Sequence, residues 1–166
     1  MYFEINENKK LKDIDTFLRK TWLECCGHLS MFKINNQRYY SSLIDSEPGD
    51  KSMNTTLSTI LSEGLIFSHE YDFGTTTYIK LKCVEKRKGA TKKIEVLAQN
   101  AKLFFPCASC KKESEYLCLT CAEEGKKTSF CENCSNEHGN EENHQGEESF
   151  LSIANSPRMG VCGYAG

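Results

Sequence analysis

The sequence predicts an α+β protein: a small mixed domain with antiparallel hairpins and two helices, followed by a cysteine-rich module. Three observations carry this expectation. Apolar residues recur at three- and four-residue intervals across positions 11–25, the period of an amphipathic helix. Runs rich in aromatic and β-branched residues flank Asn35-Asn36 and Gly74-Thr75, as strands flank turns. Beyond residue 106, six cysteines fall into three Cys-x2-Cys pairs.

Residues 1–5 alternate enough for a short edge strand. In the helix that follows, Leu11, Ile14, Phe17, Leu18, Trp22 and Cys25 form the apolar stripe. Lys12, Asp13, Asp15, Arg19 and Lys20 are placed on the opposite, solvated face, and Gly27 is placed to end the helix in a left-handed conformation. Cys25 and Cys26 are adjacent, a spacing that strains a disulfide and is poor for sharing one ion, so they are read as buried thiols. His28 follows the helix end, where the carbonyl termini favour its charged form, and reads as a structural hydrogen-bonding residue.

Residues 29–34 and 37–41 form a hairpin around Asn35-Asn36, both tolerant of positive φ. Residues 41–51, with Pro48-Gly49-Asp50, are a polar loop. A second short helix from Asn54 or Thr55 carries Leu57, Ile60 and Leu61, and Gly64 ends it. Residues 65–73 make a strand with Phe67, His69, Tyr71 and Phe73 on one face, and residues 76–85 return beside it. Asp72 is expected to cap backbone N–H groups at the turn. Lys86-Arg87-Lys88-Gly89 reads as a hairpin tip, with residues 94–97 as the next strand.

Charge is unevenly spread. Residues 1–106 carry 16 Lys+Arg against 13 Asp+Glu, whereas residues 107–166 carry 5 against 10. The one basic concentration is the 80–93 arm: Lys80, Lys82, Lys86, Arg87, Lys88, Lys92 and Lys93. Lysines at this spacing either bind a phosphate backbone or keep an edge strand from pairing with another chain.

The cysteine-rich stretch reads Cys107-x2-Cys110-x7-Cys118-x2-Cys121-x9-Cys131-x2-Cys134-x3-His138-x5-His144. A Cys-x2-Cys knuckle turns two thiolates toward one tetrahedral ion, and Zn²⁺ takes four S or N ligands. Eight ligands suffice for two Zn²⁺ ions. No apolar leader opens the chain, so a reducing cytoplasm is expected, where such spacing favours metal over disulfides. The large apolar residues of the module are few, Tyr116, Leu117, Leu119, Phe130 and Phe150, so metal must create its fold. Ligand pairing stays open. It is interleaved, with Cys107, Cys110, Cys131 and Cys134 on one ion and Cys118, Cys121, His138 and His144 on the other, or sequential, or a single zinc with spare thiols. The module is similar to cross-braced fingers of the MYND and B-box types, although its x9 spacing and terminal His-x5-His match neither. The expected organisation is residues 1–103, 104–148 and a tail, 149–166, docked on the body. Glu141-Glu142 and Glu147-Glu148 make an acidic linker, residues 150–153 a docking strand, and residues 156–160 a turn.

Residues 1–100 resemble the plasmid pRiA4b ORF-3-like family. The likeness rests on Leu11-x2-Ile14 leading the helix, on Trp22, on His28-Leu29-x2-Phe32 entering the hairpin, and on Tyr71-Asp72-Phe73-Gly74 at the later turn. Thr75 stands where the family usually has an acidic residue, and the family's opening strand with its proline-rich turn and IWR-like motif is missing or shortened. The resemblance implies an α+β fold and a plasmid or transposon context, not a reaction. The cysteine-rich extension ending in Asn155-Ser156-Pro157-Arg158-Met159-Gly160-Val161-Cys162-Gly163-Tyr164 resembles that of a subset of the family.

The functional expectation is a non-enzymatic zinc-binding interaction or adaptor protein. Closed four-ligand sites leave no position for a reactive water, and the module's acidity repels nucleic acid. The alternatives are nucleic-acid binding through the 80–93 arm, and an enzyme using His28, His69, Asp72 or Cys162. A reactive Cys162 needs a neighbouring cation, for which Arg158 is the candidate. No membrane association is expected, since no apolar run approaches the roughly 18 residues needed to span a bilayer.

Overall fold

A computed structural model describes all 166 residues except Asp45, 141–143, 145–148 and Ala165. The acidic-linker reading of Glu141, Glu142, Glu147 and Glu148 lies outside the described residues. The chain divides into two compact units, Met1–Asn100 and Ala101–Gly166. The architecture is α+β.

Unit 1 is built on a five-stranded sheet in the order β4-β3-β2-β5-β6, comprising Ser30–Ile34 (β2), Gln37–Tyr40 (β3), Lys51–Ser52 (β4), Ile66–Tyr71 (β5) and Thr77–Lys82 (β6). All its pairings are antiparallel except β3 with β4. The β2–β3 turn has Asn35 at φ 48° and Asn36 at φ 65°, the left-handed pair that matches a two-residue hairpin to strand twist. Asp72 ends β5 at φ 65°, and its Oδ1 accepts the backbone N–H groups of Gly74 (3.0 Å) and Thr75 (3.3 Å), the capping role expected of it.

Helix α1 (Leu11–Leu18) packs Leu11, Ile14 and Leu18 into a core with Phe32, Ile34, Tyr39, Met53, Leu57, Phe67, Tyr71 and Leu81. Its first turn is capped by Asp13, whose Oδ2 accepts the Lys10 N–H at 2.7 Å. One residue departs from the expected pattern. Asp15 is buried, not solvated: it accepts Ser30 Oγ at 2.7 Å and stands 2.8 Å from Nε2 of the fully buried His69. A carboxylate in a core needs such partners to offset its lost hydration.

Four other readings are corrected. The helix does not run on to Gly27. After α1 it widens into a π turn, Arg19–Leu23, closed by the Glu24 N–H bonding to Arg19 O, and Glu24 is already extended. Gly27 is still left-handed, at φ 81°, but it shapes the loop beyond the helix. The second helix is only a 3₁₀ turn, Leu57–Thr59, with Leu57 alone fully inward. Residues 86–89 are not a hairpin tip. Glu95–Ala98 (β7) leaves the β6 edge and pairs antiparallel with Tyr2–Glu4 (β1), making a separate two-stranded ribbon. Phe73 is exposed rather than sharing the inward face of Phe67, His69 and Tyr71, because β5 ends at Tyr71.

Unit 2 holds a three-stranded antiparallel sheet in the order β10-β8-β9, from Phe150–Ser152 (β10), Tyr116–Cys118 (β8) and Ser129–Phe130 (β9). Two short helices, α2 (Leu119–Glu123) and α3 (Glu132–His138), follow β8 and β9. The tail strand is thus a sheet member, with Leu151 opposite Leu117. Among the described residues, no helix is long and apolar enough to cross a membrane.

Candidate metal centre

Among the described residues, unit 2 has little oily interior. Its buried cluster is Cys107, Cys118, Cys121, Phe130 and Cys131, with Ala108, Cys134 and Phe150 against it. Sulfur occupies the place where leucine or valine would sit in an ordinary domain, and the reason lies in how each local turn aims its thiols.

The first knuckle, Cys107 to Cys110, closes as Lys111 N–H bonds to Cys107 O (3.1 Å) and Cys107 N–H to Lys112 O (2.8 Å), with Lys111 at φ 66°. The second sits at the β8-to-α2 switch. Cys118 is the N-cap of α2, and its Sγ accepts the Cys121 N–H at 3.5 Å. The third opens α3: Cys131 is the N-cap, and its carbonyl accepts the Ser135 N–H at 2.8 Å. The β8–β9 ladder and the Ala108 N–H to Ser129 O bond (2.8 Å) bring these turns together.

The result is two sets of four. Cys107, Cys110, Cys131 and Cys134 offer ligand atoms within 4.8 Å of one another, and so do Cys118, Cys121, His138 and His144. Of the three pairings the sequence left open, this geometry is the interleaved one. Around a tetrahedral zinc, two thiolates stand about 3.8 Å apart and a thiolate about 3.6 Å from an imidazole nitrogen. Cys110 and Cys131 sulfurs are 3.6 Å apart; Cys118 Sγ lies 3.3 Å from His144 Nδ1, and Cys121 Sγ 3.2 Å from His138 Nε2. These separations lie within about 0.4 Å of such edges, and the S4 and S2N2 donor sets fit a cation of this class.

Electrostatics makes the same point. Burial raises the Cys107 thiol, but backbone N–H groups of Cys110, Cys131 and Ser109 outweigh it and lower it to about 6. Its neighbour Cys134 is pushed up to about 12 through hydrogen bonding to Cys131, then Cys110. In the other set, burial and then the Cys118 side chain push Cys121 up to about 11. Thiols this close cannot all ionise unless a cation compensates them.

Helix α3 links the sets, since Cys134 belongs to one and His138, four residues on, to the other. The His138 ring stacks on Phe130 (centroids 4.4 Å, 19° between planes) and lies edge-on to Phe150 at 6.2 Å. His144 is buried, 4.1 Å from His138 between ring centroids.

His69 is sealed beneath α1 with Asp15. His28 Nε2 stands 3.6 Å from Asp72 Oδ2, and Arg158 is buried whereas Cys162 is exposed in a turn at φ 51°. A surface groove lined by Lys33, Arg38, Asp50, Tyr78 and Lys80, among others, contains none of His28, His69, Asp72 or Cys162. Part of the basic arm is engaged within unit 1, where Lys86 pairs with Glu7 and Arg87 with Glu4.

Sequence reasoning missed one grouping. Cys26 is exposed rather than buried, and Cys25, Cys26 and His28 bring their ligand atoms together. The available signal was Gly27, whose left-handed backbone folds His28 back toward Cys26.

No family model, curated protein or solved structure matches the chain.

Proposed function

We propose that the protein is a non-enzymatic zinc-binding interaction module of the cytoplasm, in which zinc in two closed sets builds unit 2 and unit 2 meets a protein partner. The observation that carries this reading is the pair of interleaved four-ligand sets. In each, four protein donors fill a tetrahedral ion, so no position is left for an activated water, which is why the reading is structural and not hydrolytic. Six thiols kept as ligands also call for a reducing compartment.

A protein partner is favoured by charge. Residues 107–166 carry twice as many acidic as basic residues, and six thiolates on two Zn²⁺ add about −2 more. Phosphate backbones need the opposite sign. Affinity capture with the full chain should lose its partner when Cys107 and Cys110 are replaced by Ser, and metal analysis should find one zinc fewer. Partners retained in full by that variant would remove the adaptor reading.

Nucleic-acid binding through the 80–93 arm is the second reading. In its favour, Lys80, Lys82, Lys88, Lys92 and Lys93 are exposed. Against it, β6 is the sheet's edge, where lysine serves to prevent strand addition. Titration with generic DNA and RNA at low salt is expected to show no binding that Lys86→Glu, Arg87→Glu and Lys88→Glu together reduce. Salt-sensitive binding abolished by that reversal would install the second reading instead.

We also propose that unit 1 is a pRiA4b ORF-3-like domain. Support comes from the motif residues: Leu11 and Ile14 are core positions on α1, and His28 meets the Tyr71 ring edge-on at 5.8 Å.

A further inference from the structure

We propose a third metal site in unit 1, independent of the two closed sets, at which Cys25, Cys26 and His28 hold a zinc ion and a donor from outside this loop completes the tetrahedron. Adjacent residues in an extended chain point to opposite sides. Here the backbone is not extended. The π turn at Arg19–Leu23 releases the chain through Glu24, and Gly27 at φ 81° turns it back. Inserted π turns of this kind are frequent at functional sites.

The outcome is a compact donor set. Cys25 and Cys26 sulfurs lie 3.5 Å apart, and Cys26 Sγ lies 2.9 Å from His28 Nε2. The sulfur separation is far beyond the ~2.05 Å of a disulfide and close to the ~3.8 Å edge of a tetrahedral zinc. The ligand atoms fall within the same 4.8 Å limit as those of each unit 2 set. Two thiolates and an imidazole select a thiophilic or borderline cation over magnesium or calcium, which take oxygen.

The loop is held from behind. Tyr71 Oη accepts the Cys25 N–H at 3.5 Å and donates to Glu24 Oε1 at 3.1 Å. Glu24 Oε1 accepts the Gly27 N–H at 2.6 Å, and Oε2 accepts Arg19 Nε–H at 2.6 Å. Arg19 in turn lies over the Tyr71 ring, 5.1 Å from its centroid. The core therefore fixes the shape in which the donors are presented, and binding need only displace the thiol protons.

The test is native mass spectrometry of the full chain, saturated with zinc and desalted. The wild type is expected to hold three zinc ions. Cys26→Ser and His28→Ala are each expected to hold two, with unit 1 still folded because both side chains are at least partly exposed. Cys107→Ser with Cys110→Ser should also lose one ion but keep the unit 1 site, so failure of this proposal is distinguishable from failure of the closed sets. Replacing each of the ten cysteines singly identifies any thiol that is the fourth donor. Two ions in the wild type, three in both Cys26→Ser and His28→Ala, or an intact mass showing Cys25 and Cys26 oxidised together would each overturn it.

Discussion

Stripping the protein with a chelator should unfold unit 2 while unit 1 keeps its structure. Structural zinc contributes an apparent ~10–16 kcal/mol per site in small peptides, comparable with a whole domain's usual net stability of about 5–15 kcal/mol. Unit 2 has nothing to set against that loss. Among the described residues, its buried cluster has five members, of which four are ligand thiols and one, Phe130, is a conventional core side chain. With metal removed, those thiols become weakly polar groups beside one another, and the β8–β9 ladder of two residue pairs cannot hold alone. Two-dimensional NMR would show residues 101–166 collapsing to the narrow shifts of an unfolded chain while residues 1–100 keep their dispersion. Full dispersion of both units in demonstrably metal-free protein would defeat the structural role assigned to the ions.

Replacing Asp15 by Ala should destabilise unit 1 by about 2–5 kcal/mol, since two buried hydrogen-bonding groups are left unsatisfied at roughly 1–3 kcal/mol each. The size follows from what is left behind. His69 is fully buried, and its Nδ1 finds no hydrogen-bond partner among the described residues, so loss of Asp15 leaves the ring without its Nε2 partner too. Ser30 Oγ is stranded in the same stroke. Urea denaturation with a probe in unit 1 measures the change. Asp15→Asn should cost less, because both hydrogen bonds fall on Oδ1, where an amide oxygen can still accept them. Combining Asp15→Ala with His69→Ala should be less than additive, since the second change removes the orphaned group. A midpoint unmoved by Asp15→Ala would place this carboxylate in water.

Much of this architecture was readable from local chemistry. Asn35-Asn36 could form only a tight left-handed turn, and the three Cys-x2-Cys pairs announced metal. What escaped notice did so for identifiable reasons. Residue type puts Asp15 on the wet face, although its spacing argues otherwise: Leu11, Ile14, Asp15 and Leu18 are the i, i+3, i+4 and i+7 positions of one stripe. Periodicity was the better guide, and it named the buried acid. Lys86 to Gly89 looked like a hairpin tip because turn chemistry is local, whereas the choice of β1 as partner for β7 is made across more than 90 residues of chain. The geometry of an extended dipeptide holds Cys25 and Cys26 apart, and no propensity marks a π turn in advance. In unit 2 the spacing offers the interleaved partition as one of three, and the structure matches it because α3 presents Cys134 and His138 to different neighbours.

That same interleaving bears on how the protein is made. The first set takes Cys107 from its opening and Cys134 from near its close, and the second is completed only by His144. A ribosome adding residues at about 5–20 per second therefore extrudes a stretch of bare thiols for on the order of seconds before either ion can be enclosed. Zinc capture is a late event in synthesis, and a chain broken off before residue 134 would emerge with neither set complete.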